Sequence, residues 1–559
     1  MVKKVFLMLN REISGLHEAA YLLGIFALGS QILALLRDKL LAFTFGAGHA
    51  LDIYYAAFRI PDLIFASVGS LVSASILLPY FIERFETGEK RGRAFSDGIF
   101  TVFFGAAVIV SALIFFLAPI IVPRFIPGFA NDPSLPELVT SMRIMLLSPF
   151  FLGLSNLFSS LTQMNHRFLV YAASPVVYNL GIIAGVLVAY PVFGIPGLAI
   201  GVAVGAFFHM AIQIPFMVHK GLMPRFTALI QWSDIKKIVL TSLPRTVTLS
   251  ANQIASFVLV SLASLMSAGS ISVFNFAFNL QSVPLTIIGA SYSSAVFPTL
   301  SRLLYKKETK EFLAKMIASA EHIIFWSMPL TVLFIVLRAQ IVRAVLGAGK
   351  FDWADTRLTA AMLALFTVST IGQSLIVLFV RAFYAEGKTT RPLLINAVSA
   401  TTIVILGFAL NYIFATWPLF RYFLEDILKV DGQVGTSVLT LALAYSGGVI
   451  LNTILHWWTF EKVYHGFTRP VLGTLYHSFV SSVIMGYVAF IALRPLSIIF
   501  PMSKVWGVFM QGFCAGLIGL AAGIVVLILL KNKELKEVWT TLHGKIWKAR
   551  VLVPDQVEL

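Results

Sequence analysis

Runs of about 20 or more apolar residues recur along the whole of this 559-residue chain, each long enough to cross roughly 30 Å of hydrocarbon as a helix. Inside hydrocarbon no water satisfies backbone N–H and C=O groups, so only helices and closed barrels can span it. The period-2 alternation of barrel strands is missing. The chain therefore reads as an all-α polytopic membrane protein. Composition agrees: 58% of residues are hydrophobic and 12% charged, with a mean hydropathy of +0.87, where a soluble protein carries about 25% charged residues.

Fourteen transmembrane helices are expected, near 20–44, 53–82, 95–122, 138–164, 168–190, 195–218, 237–266, 271–302, 312–343, 356–385, 392–415, 434–461, 470–493 and 506–530. Between them lie short interruptions rich in breakers, among them Pro123, Pro127 and Gly128, Gly347 and Gly349, Gly387, and Pro495 and Pro501. Lysine and arginine orient the chain. One set of ends and loops holds most of the 42 basic residues, including Lys3, Lys4, Arg84, Lys90, Arg91, Lys220, Lys306 and Lys307, and a basic tail after Leu530. The opposite set holds few, such as Arg124, Lys350, Arg421 and Lys504. By the positive-inside rule both termini are expected on the cytoplasmic side. The first 19 residues have no cleavage pattern and read as a cytoplasmic lead.

The net charge of +16 is accounted for by this topology. No basic, aromatic-interleaved soluble domain exists to carry nucleic acid. Cys514 is the single cysteine, which excludes intramolecular disulfides and thiolate metal clusters.

Sliding the chain on itself by about 220 residues reveals an internal repeat. Ala47-Gly48 answers Ala268-Gly269, Ala57-Phe58-Arg59-Ile60 answers Ala277-Phe278-Asn279-Leu280, and Ser75…Pro79 answers Ser294…Pro298. An offset of six spans makes two parallel repeats, expected as six-helix lobes over residues 20–220 and 236–462. Helices 13 and 14 (470–530) fall outside the repeat, and 531–559 form the tail. Parallel halves of this kind commonly enclose a cavity that opens alternately to either side.

Charge at membrane depth is costly and persists where it faces a partner, water or a cargo. Arg37, Asp38, Asp52 and Arg59 concentrate it in the first half; Arg245, Asn252, Gln253, Asn275 and Asn279 are the polar residues of the second. The amides also fit interhelical hydrogen bonds that fix packing. Arginine suits phosphate because its planar fork donates parallel hydrogen bonds and stays protonated. A cationic cavity of this kind predicts an anionic, phosphate-bearing cargo. No nucleotide fingerprint, HExxH pair or nucleophile–base arrangement is present, so no enzyme and no cofactor is expected. Arg421–Asp431, with Glu425, Asp426 and Asp431, reads as a solvated amphipathic loop.

Arg37-Asp38, Phe45-Gly46-Ala47-Gly48, Asp52 and Ala57-Phe58-Arg59-Ile60-Pro61 together resemble the MurJ/MviN family, the lipid II flippases of the multidrug/oligosaccharidyl-lipid/polysaccharide exporter superfamily. Leu243-Pro244-Arg245…Asn252-Gln253, Gly269-Ser270-Ile271-Ser272, Phe297-Pro298-Thr299-Leu300-Ser301, Gly349-Lys350-Phe351 and Arg381-Ala382-Phe383-Tyr384-Ala385 extend the resemblance over residues 20–415. It implies a flippase moving undecaprenyl-pyrophosphate-linked lipid II from the inner to the outer leaflet of the bacterial cytoplasmic membrane. It further implies a central cationic cavity, and a lipid-tail groove on helices 13 and 14. The substrate-binding residues it implies are Arg37, Asp38, Asp52, Arg59, Asn252, Gln253 and Asn279. With no ATP site, the drive would be membrane potential or an ion gradient; cell-wall synthesis enzymes are candidate partners. The chain departs from the family at Ser30-Gln31, at Ile64-Phe65-Ala66 and at Asn279, where arginines are usual. These departures keep open two alternatives: export of another lipid-linked saccharide, and a non-transporting membrane scaffold.

Overall fold

The computed structural model describes residues 16–165 and 167–547, without the side chains of 16–21, 70, 74, 75, 244, 245, 249 and 541–547. Residues 1–15 of the expected lead, the Arg245 side chain and the end of the tail lie outside the described residues. Among those described, every regular element is helical. Eleven helices are long and apolar enough to cross a membrane, and the broken pair Trp353–Thr367 and Thr370–Ala385 makes a twelfth if read as one span. These twelve coincide in order with expected spans three to fourteen.

Of the first two expected spans, the first is one continuous helix and the second is broken. The first is the helix Leu16–Phe45, which carries three adjacent charges, Arg37, Asp38 and Lys39. The second, expected as one span over 53–82, is a chain of short pieces: His49–Ala57, Arg59–Ser67, the 3-10 turn Gly69–Val72, and Ala74–Glu86. Pro61 explains the first break, since it has no N–H to offer the Ala57 carbonyl. The last piece begins after Ser73 in extended backbone, with φ −67° and ψ 145°.

By contacts the chain forms two compact units. One comprises Met1–Leu280, Val345–Phe366 and Lys388–Asn452; the other comprises Gln281–Ala344, Thr367–Gly387 and Thr453–Leu559. In the first, the helices Phe168–Ala184 and Ile195–Ala211 pack with their backbones nearly touching. A Cβ at Gly181 would sit 2.3 Å from the Gly205 Cα, so only glycine allows the approach. A phenylalanine-rich core built on Phe81, Phe95, Phe100, Phe103 and Phe158 lies in the same unit.

In the second unit the helices Thr468–Ile499 and Val505–Leu529 pack against each other through Gly519, where a Cβ would lie 2.8 Å from the Ala489 Cβ. Gly486 brings the first of them against Val332 of the helix Thr309–Val336. Both helices turn rows of apolar side chains outward, such as Tyr487, Phe490, Phe509 and Phe513. That is the normal surface of a segment solvated by lipid.

Candidate functional site

One turn, Gly46-Ala47-Gly48, joins the first helix, which carries Arg37 and Asp38, to the broken second segment, which carries Asp52 and Arg59. Gly46 has φ +67°, a conformation that disfavours any residue with a Cβ. Two carboxylates stitch this turn to remote parts of the chain. Asp52 is 4% exposed. Its Oδ2 accepts from the Gly269 N–H at 2.6 Å, and its Oδ1 accepts from the Ser272 N–H and Oγ at 2.7 and 2.6 Å. Those amides are N-terminal donors of the helix Ser270–Pro284, which has no such partner within its own segment. Asp52 is therefore a cap supplied in trans, with its negative charge at the positive end of the helix dipole.

Asp355 does the same for the turn itself, accepting from the Ala47 N–H at 3.1 Å, while the Lys350 N–H donates to the Phe43 carbonyl at 3.0 Å. Nearby, the Ser134 N–H and hydroxyl both donate to Asp132, at 2.8 and 2.6 Å, and hold its carboxyl below the usual carboxylate range. His49 Nε2 lies 3.1 Å from the Ser134 Oγ. A cavity of about 390 Å³ opens beside the turn, lined by Ala47, Ser267–Ser270, Asp355, Arg357 and Asp431–Gly435.

Arg37 and Asp38 form a closed network. Arg37 Nε and Nη2 donate to Asp38 Oδ1 at 2.9 and 2.8 Å, and Nη1 donates to Asn179 Oδ1 at 3.2 Å. Asn279 Nδ2 donates to the other carboxylate oxygen of Asp38 at 3.0 Å. The fork of Arg37 is thus largely occupied by the protein itself.

Arg59 differs. It is 9% exposed, and its Nη2 donates to Asn275 Oδ1. Its Nε is buried without a hydrogen-bond partner, and among the described residues no carboxylate lies at ion-pair distance from it. Asp62, one turn further on, faces the guanidinium electrostatically from beyond ion-pair distance. A buried guanidinium hydrogen-bonded to one neutral amide keeps most of its donors for an anion.

Asn252 and Gln253 stand apart from these clusters. Asn252 is exposed on the helix Trp232–Ser264 and Gln253 half-buried, and neither makes a hydrogen bond among the described residues. Sequence reasoning missed Asn179, Ser272 and Asp355. Only the Gly269-Ser270-Ile271-Ser272 motif pointed near one of them. The segment Arg421–Asp431 is also corrected: it is not a solvated loop but a helix, Pro418–Leu428, whose Glu425 is 4% exposed and accepts from Arg421 and Thr436. The alternation of charge there conceals a buried face.

With this geometry in hand, similarity to known proteins is informative. Residues 41–514 match the family model described as lipid II flippase MurJ. A probable lipid II flippase MurJ of Rhizobium tropici is 26% identical over 462 residues, covering 77% of this chain and 85% of that protein. The lipid II flippase MurJ of Burkholderia cenocepacia is 25% identical over 458 residues, covering 80% and 84%. Among solved structures, one described as lipid II flippase MurJ in an inward closed conformation superposes with a TM-score of 0.72 at 20% identity, over 92% of this chain and all of that one. An inward-facing multidrug transporter of the MATE family, in the MOP superfamily, follows with a TM-score of 0.63 at 12% identity, over 78% of this chain and 96% of that one. The fold is that of MurJ and MATE proteins, and the chain belongs to the MurJ family of lipid II flippases: a multi-pass membrane transporter, not an enzyme.

Proposed function

We propose that this chain carries lipid II, an undecaprenyl-pyrophosphate-linked peptidoglycan precursor, from the inner to the outer leaflet of the bacterial cytoplasmic membrane by alternating access. The observation that carries this reading is Arg59, a buried cation with no carboxylate at ion-pair distance among the described residues and an Nε left without a partner. Holding such a group at membrane depth is unfavourable unless an anion completes it. A pyrophosphate bridging to a sugar supplies that anion, with pairs of oxygens that the planar fork of arginine can bond in parallel. Arg37, tied to Asp38 and Asn179, adds positive charge and sets the position of its neighbours.

The same reading places both termini in the cytoplasm, the repeat lobes at 20–220 and 236–462, and the lipid tail against the helices of 470–530. Asn252, Gln253 and Asn279 would face the head group. Asp52 would act on the outer side by holding Ser270–Pro284 in place. Membrane potential suffices as a drive, being worth about 2.3 kcal/mol per charge per 100 mV. Cell-wall synthesis enzymes would take the product on the far side.

A second reading, export of another lipid-linked saccharide, is favoured by one observation: Asn279 donates to Asp38, at a position where the family resemblance leads one to expect arginine. The two are separated by following outer-leaflet lipid II directly. In cells dependent on this chain, lipid II accessible to an added impermeant hydrolase should fall when synthesis of the chain is halted. Unchanged lipid II exposure, with the outer-leaflet exposure of a different lipid-linked sugar falling instead, would favour the second reading.

A further inference from the structure

The helix Pro418–Leu428 has two faces of opposite use. Leu424, Glu425 and Leu428 are buried, and Glu425 Oε1 accepts from the Thr436 hydroxyl at 2.5 Å and from Arg421 Nε at 2.9 Å. Leu419, Tyr422, Phe423 and Ile427 point outward, each 59% exposed or more, with Trp417 at 56% just before them. At 100° per residue Leu419, Tyr422, Phe423 and Ile427 share a sector of about 140°, and the exposed Asp426 lies within it, one residue before Ile427.

Its depth is fixed from both ends. The spanning helix Thr390–Thr416 finishes one residue before Trp417, and the next, Thr436–Val463, starts eight residues after Leu428. Phe420 and Arg421 fold back onto Phe414 of the first, with centroid distances of 6.5 and 5.9 Å. Glu425 ties the middle of the helix to the first residue of the second. A helix of about 16 Å length tethered in this way lies near the level of the span ends.

The exposed face also continues an apolar surface. Leu394, Val398, Ile405, Phe408 and Tyr412 form a single exposed stripe along Thr390–Thr416, ending in Tyr412 and then Trp417. Tyrosine and tryptophan concentrate where hydrocarbon meets head groups. We propose that Pro418–Leu428 is an interfacial helix whose Leu419, Tyr422, Phe423 and Ile427 insert among the lipid head groups and upper acyl chains of the leaflet at which these two spans end. Inserted there, it holds the following Asp431–Gly435 segment, which lines the cavity of about 390 Å³, at a fixed height.

The test uses spin labels on the full chain in lipid vesicles. In a Cys514→Ser background, Phe423→Cys and Ile427→Cys are labelled separately, with Asp431→Cys as reference. Relaxation by oxygen, which partitions into lipid, is compared with relaxation by a polar nickel chelate. The expected result is an oxygen-to-nickel accessibility ratio several-fold higher at both 423 and 427 than at 431. Ratios equal to that at 431 would overturn the proposal in favour of a water-facing surface. Exclusion of both reagents with dipolar broadening between labels would overturn it in favour of a second copy; exclusion of both without broadening would overturn it in favour of a different protein.

Discussion

Asp52 and Ser272, 220 residues apart, meet through two hydrogen bonds in which the amide and the hydroxyl of Ser272 both donate to Asp52 Oδ1. That separation is close to the offset of about 220 residues at which the sequence repeats its short motifs. The contact fastens the start of the broken second segment to the start of the helix Ser270–Pro284.

Removing the carboxylate therefore removes a helix cap and leaves buried amides without an acceptor. Asp52→Ala is expected to destabilise the protein by about 1–3 kcal/mol, read as a lower unfolding temperature in detergent. Ser272→Ala, which deletes only the hydroxyl donor, should cost less. The two effects should be non-additive in a double-mutant cycle.

Glycine matters at this contact for two separate reasons. Gly269 has φ +90°, and a Cβ there would lie 2.0 Å from the Ala47 carbonyl oxygen. Gly387 has φ +76° but nothing within 4 Å of an added Cβ. Gly387→Ala should cost about 1–3 kcal/mol from backbone strain alone. Gly269→Ala should cost clearly more, because the clash displaces one of the amides that Asp52 accepts from. Thermal unfolding of the two variants side by side checks the order.

Arg37 and Arg59 should respond to substitution with opposite signs. Arg37→Ala leaves Asp38 buried without its guanidinium and is expected to destabilise by about 3–5 kcal/mol. Adding Asp38→Asn should recover part of that loss. Arg59→Met removes a buried charge that has no carboxylate at ion-pair distance among the described residues, so stability should hold or rise. Unfolding temperatures of the three variants, measured at equal protein concentration, decide this.

Asn252 and Gln253 offer a complementary case. With no hydrogen bonds among the described residues to lose, Asn252→Ala and Gln253→Ala should change stability by less than about 0.5 kcal/mol. A fall in transport at unchanged unfolding temperature would mark them as contacts to the cargo.

Much of the fold was legible because hydrocarbon imposes a strict length and polarity on each span, and expected spans three to fourteen reappear in order. The second span was not, since its apolar content hid the consequence of Pro61 for the Ala57 carbonyl. At the site, the concentration of Arg37, Asp38, Asp52 and Arg59 was visible as charge out of place. What each does was not. Asp52 is a cap because of amides contributed from beyond residue 268, and Arg37 is neutralised by its own neighbour Asp38 and hydrogen-bonded to Asn179. Partners 142 to 241 residues away leave no trace in local pattern. Glu425 was misplaced for the same reason: its burial depends on Thr436 and on the packing of a helix that charge alternation disguises.

The most direct measurement of the central claim is rescue of bacteria depleted of their own lipid II flippase, using the native chain and Arg59→Met at matched membrane levels. The account predicts that the native chain restores growth and exposes lipid II on the outer leaflet, while Arg59→Met, as stable as the parent, does neither. Rescue by Arg59→Met equal to that of the native chain would contradict it.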